Sequence, residues 1–271
     1  MYTTAVIISA YNNPKYLYLT LCGYCKQDVP PDEIIIADDG SGDDVRQVID
    51  SFRDVLPIKH VWHEDNGFRK SEILNKALLA AESDYLIFTD QDCIPRKDFV
   101  ATHLASAKEG CYISGGYYRL TMPVSKHITK EDVDAGRPFD VKWLIANGQP
   151  RSIKMARLLG SSLISKMFNR LSPARDTWNG CNSSGWRRDA LAVNGYNELM
   201  HYGGQDREFG MRLVNNGIKP IQMRYSAIVS HLDHKRPYKT PETMEFNRKV
   251  MRDTQANHVV WTPYGVEKPK P

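Results

Sequence analysis

The sequence has no apolar run approaching the roughly 20 residues that a bilayer-spanning helix needs. Its first apolar run, in MYTTAVIISAYNN, has no basic residues before it and breaks at Ser9, which does not fit a signal peptide. These two absences predict a soluble, cytoplasmic protein. Cysteine is sparse and odd in number: five, at 22, 25, 93, 111 and 181. Without an export signal that argues against a disulfide framework. Cys22 and Cys25 form a lone C-x-x-C in LYLTLCGYCKQD, and no second such pair completes a zinc site. The pair reads either as a redox site or as two semi-buried residues on one helix. A dominant charge sign is also missing. Lys and Arg number 36 against 32 Asp and Glu, and a net charge of +4 is too mild to argue for nucleic acid. There are no repeats and no low-complexity linker. What remains is an ordinary globular composition, 41% hydrophobic and 25% charged over 271 residues, enough for a substantial core.

Short apolar runs alternate with segments of helical period. TAVIISA (4–10), EIIIADDG (33–40), IKHVWHE (58–64) and DYLIFTD (84–90) read as strands. Between them lie NPKYLYLTLCGYCKQ, with Asn13 as cap and Pro14 at the first helical position, DDVRQVIDSF (43–52) and KSEILNKALLAAES (70–83). This alternation predicts an α/β domain with a mostly parallel sheet covered on both faces. Functional groups of such sheets gather where strands end. Here those ends read Ser9-Ala10-Tyr11-Asn12, Asp38-Asp39-Gly40-Ser41 and Asp90-Gln91-Asp92. Past residue 115 the pattern loosens. GGYYRL (115–120) reads as a strand start and 121–150 is polar and mixed. KPIQMRYSAIVSHLDHKR (219–236) regains strand character and ends in two histidines, and 241–255 reads as a surface helix.

Two carboxylates at the mouth of a buried strand are costly unless a cation neutralises them. Asp90 and Asp92 therefore suggest a hard divalent ion, Mg²⁺ or Mn²⁺, which shares oxygen ligands with phosphates. The D-x-D pattern alone is a weak signal, since three-residue matches arise by chance. Asp38-Asp39 before Gly-Ser-Gly reads either as an Asx-type turn or as carboxylates that accept hydrogen bonds from a base or a ribose. Asp206 follows Gly203-Gly204 and opens the helical segment EFGMRLV. That position suits a helix cap, and equally an ionised general base. Either late histidine, His231 or His234, could be a third ligand beside the aspartates; the preference for His231 comes only from the resemblance given next.

In this order and spacing, ISAYN, ADDGSGD, NGFRKSEILNKAL and FTDQD resemble family 2 glycosyltransferases of the GT-A, or nucleotide-diphosphosugar transferase, fold. The resemblance covers residues 3 to about 97 and implies a sugar-nucleotide donor and a divalent metal. It implies that Ala10, Tyr11, Asn12 and Asp38 or Asp39 hold base and ribose, and that Asn66, Gly67, Arg69 and Asn75 shape the nucleotide side. Gln91 joins the donor set. Asp90 would contact ribose or a metal-bound water, and Asp92 would ligate the metal, giving a candidate metal set of Asp92, Asp90 and His231.

Further on, WNGCNSSGWRRDALAVNGYNELMHYGGQDREFGMRL resembles the catalytic segment of galactosyltransferase-type enzymes. That likeness makes Asp206 the base. Gln205 departs from it, standing where an acid is usual. Trp178, Asn179, Asn182, Gly204 and Gln205 become acceptor candidates, with Trp186 either there or in the core. The implied layout is a single domain over 1–271. A nucleotide-sugar-binding half occupies 1–115, an acceptor-binding and catalytic half 116–236, and a C-terminal helix and tail 237–271.

The expected activity is inverting, metal-dependent transfer from a UDP-sugar to a glycan or lipid-linked glycan in surface polysaccharide synthesis. A non-catalytic sugar-binding module is one rival, favoured only by Gln205. A sugar-1-phosphate nucleotidyltransferase is another, but it needs a Gly- and Arg-rich loop where SAYNNPKY stands. Residues 151–175 carry six basic residues and no acidic ones. With Ile153, Ala156, Leu163, Met167 and Leu171 near one helical face, they read either as a peripheral contact with anionic lipid or as a helix packed on the domain.

Overall fold

The computed structural model describes residues 2–158, 163–172, 177–235 and 240–268. Its eight strands are β1 (Thr4–Ala10), β2 (Glu33–Asp38), β3 (Ile58–Trp62), β4 (Tyr85–Asp90), β5 (Cys93–Pro95), β6 (Cys111–Arg119), β7 (Asn182–Trp186) and β8 (Lys219–His231). They form one sheet in the order β3-β2-β1-β4-β7-β6-β8-β5. β1 to β4 are mutually parallel. β7 enters antiparallel between β4 and β6, β8 runs parallel to β6, and β5 closes the edge antiparallel to β8. Six of the eight strands thus point the same way, as the alternation of the N-terminal half predicts.

β1 and β2 are buried almost throughout because helices cover both faces. Val6, Ile8, Ile34, Ile36 and Ile87 pack into one core layer, while Ala5, Ile7, Ile35, Leu86 and Phe88 pack into the other. The helix Pro14–Tyr24 begins as its sequence predicts: the Asn13 side chain accepts from Tyr16 N at 3.2 Å and Pro14 follows. Cys22 in that helix is buried and Cys25 exposed, and both are free.

Two features depart from the expected layout. Residues 121–150 form short helices, Met122–His127, Lys130–Asp134 and Val141–Ala146. NSSGW forms β7, in the middle of the sheet. It carries none of the β-branched residues that usually mark a strand. Its polar side chains are buried and satisfied internally: Ser184 meets Tyr85 Oη at 2.7 Å and His103 Nδ1 at 2.7 Å, and Ser183 Oγ accepts from Asn179 N.

β1 is the point where strand order reverses, with β2 on one side and β4 on the other. Ligands of open α/β sheets settle in the crevice beyond such a point. Strand register places Ala10 opposite Asp38 and Ser9 opposite Asp90, so the acidic ends of β2 and β4 flank the end of β1.

Candidate active site

A cleft of about 1120 Å³ opens beyond these strand ends. Its wall includes Ala10, Tyr11, Asn12, Asp39, Gly67, Asp90, Gln91, Asp92, Asn179, Gln205, Asp206 and His231, all singled out in the sequence. It also includes His234, the alternative to His231, and Phe68 of the Asn66–Arg69 stretch, together with Lys70, Tyr117 and Tyr202, which were not singled out.

On the side formed by β1 and β2, the loops are locked together. Asn12 N donates to Ser41 Oγ and Gly42 N donates to Asn12 Oδ1. The structure separates the two neighbouring aspartates. Asp38 turns away from the cleft and accepts from Ser41 N at 2.9 Å, with His60 Nε2 at 2.9 Å on its other oxygen. Asp39 lies on the cleft wall, held by His63 Nε2 at 2.7 Å and by Arg69 N at 3.0 Å. Burial pushes its carboxyl up, and His63 and the Arg69 amide only partly offset that. The Arg69 side chain points to Glu72 and the Glu64 carbonyl, and Arg69 does not line the cleft; it bears on it only through its amide's bond to Asp39. Asn66 is exposed and does not line the cleft.

Three other candidates have internal partners instead of a place on the wall. Asn75 Nδ2 donates to Tyr196 O and Glu198 Oε1, while its Oδ1 accepts from Tyr196 N. Asn182 is fully buried, with His103 on its oxygen and the carbonyls of Gly116 and Ala227 on its nitrogen. Trp178 is 2% exposed, packed edge-on to Phe88 and Phe209, with Nε1 donating to Tyr196 Oη. Trp186 likewise packs on Tyr2 and Tyr85. The aromatic groups that do face the cleft are Tyr11, Phe68, Tyr117 and Tyr202.

The metal corner is built by a strand pairing that the sequence does not announce. β5 follows the D-Q-D turn immediately and pairs with β8, setting Cys93 opposite His231. Asp92 is thereby drawn against the end of β8. Its Oδ2 lies 2.9 Å from His234 Nε2 and 3.7 Å from His231 Nε2. The ligand atoms of Asp92, His231 and His234 all lie within 4.8 Å of one another. Burial pushes the Asp92 carboxyl up, but His231 and His234 outweigh it and bring it to about 2. Asp90 is not part of this trio. Its Oδ1 accepts from Ser9 Oγ at 2.6 Å and from Lys70 Nζ at 2.5 Å. One carboxylate and two imidazoles form a donor set that a borderline transition ion accepts readily, whereas Mg²⁺ prefers oxygen alone. The residues therefore fit a divalent transition ion.

The opposite corner centres on Asp206, in the first turn of the helix Gln205–Asn215. Gly204, at φ 114°, makes the left-handed turn into that helix, and Gln205 Oε1 accepts from Gly203 N at 2.9 Å to hold it. Gly180 leaves the necessary space: a Cβ there would lie 2.4 Å from the Asp206 carboxylate. The Oδ1 of Asp206 is buried with no hydrogen-bond partner among the described residues. Burial pushes its carboxyl up to about 6, with Lys70 opposing and Asp90 adding to the rise. Burial alone would push the Lys70 ammonium down. Asp90 most of all, then Asp206 and Asp92, hold it well above the usual lysine range. Lys70 is thus the shared cation of both corners. Its signal was present in the sequence, as a lysine beside Arg69 opening a helix next to a strand that ends in Asp90.

The family profile described as Glycosyl transferase family 2 matches residues 5–151, just over half the chain. Chondroitin synthase of Escherichia coli is 28% identical over 230 residues, which is 79% of this chain and 32% of that protein. The chain therefore spans about a third of that relative's length. Among solved structures, S. aureus TarS in complex with UDP-GlcNAc superposes with a TM-score of 0.63 at 17% identity, over 95% of this chain and 70% of that one. The mannosyltransferase PcManGT from Pyrobaculum calidifontis, in complex with GDP-Man and Mn²⁺, gives 0.58 at 16% identity, over 93% and 69%. Both are glycosyltransferases, and at these identities the likeness establishes the shared GT-A fold.

Proposed function

The chain belongs to glycosyl transferase family 2, and from that premise we propose that it is an inverting, metal-dependent glycosyltransferase. It takes the sugar of a UDP-sugar and moves it to a hydroxyl of a glycan or lipid-linked glycan, in the cytoplasm, as a step in surface polysaccharide synthesis. One observation carries the reading. Buried Asp92 with half-buried His231 and His234, and an Asp206 carboxylate with one buried, unpartnered oxygen, share one cleft beyond the strand ends where a nucleotide settles.

In this reading the base and ribose lie along Ala10, Tyr11, Asn12 and Asp39. The carboxylate of Asp39 accepts from the imide of uracil, and Gln91, whose Nε2 donates to Tyr11 O, steadies that wall. Asp92, His231 and His234 would hold Mn²⁺, which when bound would neutralise the charge that grows on the departing diphosphate. Lys70 places a second positive charge beside the same leaving group. Asp206 removes the proton from the acceptor hydroxyl. With its carboxyl raised to about 6, it is ionised at neutral pH yet more basic than a solvated aspartate. Attack from the side opposite the leaving group inverts the anomeric carbon. Asn179, Gly204 and Gln205 stand on the acceptor side with Tyr202 and Tyr117. The galactosyltransferase-type acid is replaced by Gln205, whose oxygen is engaged by the turn before Asp206. The substitution leaves that turn in place and removes a like charge from beside the base.

The test is a thermal-shift panel of UDP- and GDP-linked sugars with and without Mn²⁺. A ligand of the native state raises the unfolding midpoint by mass action. UDP with galactose, N-acetylgalactosamine or glucose-type sugars should raise it only with Mn²⁺. A midpoint indifferent to every nucleotide sugar would overturn the assignment.

A further inference from the structure

The segment 151–175 lies beside the cleft as two pieces, Ile153–Leu158 and Leu163–Leu171; residues 159–162 and 173–176 are outside the described residues. The first piece is anchored by Met155 and Leu158, which join the core. The second is packed the wrong way round for a surface helix. Its inward side is polar. Ser165 is buried, and Asn169 Oδ1 accepts from Tyr225 N while its Nδ2 donates to Ser226 Oγ. Its outward side is apolar. Leu163, Ile164, Met167 and Leu171 occupy positions i, i+1, i+4 and i+8, an arc of roughly 100° at the helical period, and all four are exposed. Leu163 is 83% and Leu171 68% exposed, and Ile153 on the first piece reaches 93%. Burying the arc inward and leaving Ser165 and Asn169 outside would be the ordinary choice for a helix facing water.

The two pieces form one face. Tyr225 joins them, with the Phe168 ring tilted 37° to it at 5.3 Å and the Arg157 guanidinium 6.0 Å from its ring centre. Exposed Arg151, Lys154, Lys166 and Arg170 surround the apolar arc, and no acidic residue occurs between 141 and 175. Arg157 also donates to the carbonyl of Tyr117, whose ring stands on the cleft wall 5.7 Å from that of His231. The face therefore borders the mouth of the cleft on its metal side.

From this arrangement we infer that Ile153–Leu158 and Leu163–Leu171 together form a membrane-docking surface that lays its apolar arc into the interface of an anionic bilayer and presents the cleft to a lipid-linked acceptor. An apolar arc ringed by lysine and arginine is what an interfacial helix on anionic lipid requires. A second copy of this chain fits poorly, because a two-fold pairing of this face would set positive rim against positive rim. Only the acceptor's lipid depends on the function proposed above; the docking itself does not.

The test uses the full chain and flotation with two vesicle types, phosphatidylcholine alone and phosphatidylcholine with phosphatidylglycerol. The protein should float with the anionic vesicles at low salt, at least about tenfold more strongly than with the neutral ones, and release as salt rises. Combining Leu163→Ser, Ile164→Ser, Met167→Ser and Leu171→Ser should cost at least about tenfold in anionic-vesicle affinity, as should Lys166→Glu with Arg170→Glu. An unchanged Mn²⁺-dependent thermal shift with UDP shows that each variant is folded. Absence of flotation by the unmodified protein overturns the inference, as does either variant floating like it. A dimer in sedimentation velocity that dissolves in the serine variant would overturn it in favour of a second copy. Flotation without any nucleotide-sugar shift would leave the docking surface standing and remove the transferase reading.

Discussion

Asp92 and Asp206 are both buried carboxylates on the wall of one cleft, and their surroundings drive them in opposite directions. Around Asp92 two imidazoles converge, and the carboxyl falls to about 2. Around Asp206 burial of its carboxylate dominates, with Lys70 opposing and Asp90 repelling, and the carboxyl rises to about 6. Residue type is the same, so the difference lies in the surroundings. A carboxylate that is always charged suits a cation; one that titrates near neutrality suits a proton. The contrast is what supports the different roles proposed for the two aspartates.

The comparison breaks first at Asp206. Asp206→Asn keeps the shape and removes the base, so transfer should fall by about 10²–10⁴-fold while the Mn²⁺-dependent thermal shift with UDP persists. Turnover within a few-fold of the unmodified enzyme would take the base role away. The other corner should show the reverse split. Asp92→Ala and His234→Ala should each weaken Mn²⁺-dependent UDP binding by at least about tenfold, read by calorimetry with and without the ion. If His234→Ala binds normally while His231→Ala does not, the trio reduces to a pair.

A smaller effect sharpens the same contrast through pH. Because the Asp206 carboxyl is raised on folding, the native state binds its proton more tightly than the unfolded chain does. Its contribution to stability is present below about pH 4 and is lost as pH rises through about 6. Asp206→Asn should therefore raise the melting midpoint at pH 8 by a few degrees, roughly 2–4 °C, and the gain should vanish near pH 4. The acid limb of the transfer rate should centre near pH 6. A stability gain independent of pH would mean that Asp206 is not held in a strained charged state.

The N-terminal side of the cleft was legible because it is made where hydrophobic runs stop. The ends of β1, β2 and β4 can be found by reading apolar stretches to their last residue. The opposite side is made by pairings between distant segments. Nothing in CIP or in SHLDH states that β5 will lie against β8, so the approach of His234 to Asp92 emerges only once that edge is formed. β7 was hidden for another reason: its serines and asparagine look like a loop until Tyr85, His103 and two carbonyls are placed around them. The tryptophans show the limit of reasoning from residue type. Trp178 has the chemistry to stack on a sugar, but an aromatic cluster of Phe88, Tyr196 and Phe209 takes it into the core. Between Asp38 and Asp39 the sequence offers no choice at all; the placement of His60 and His63 on β3 and just beyond it makes one.

The ladder between β6 and β8 jumps register, from Gly115 opposite Met223 to Gly116 opposite Ile228. The surplus on β8 is Arg224 to Ala227, and within it lie Tyr225 and Ser226, the two residues that seat the outer helix. The irregularity is thus a mounting bracket set into an otherwise continuous beam that carries His231 at its far end. Redesigning those few residues would hang a different attachment on the outside of the molecule while the end of the strand that carries His231 stays where it is. A fold with such a bracket can alter what its outer face meets without disturbing its cleft.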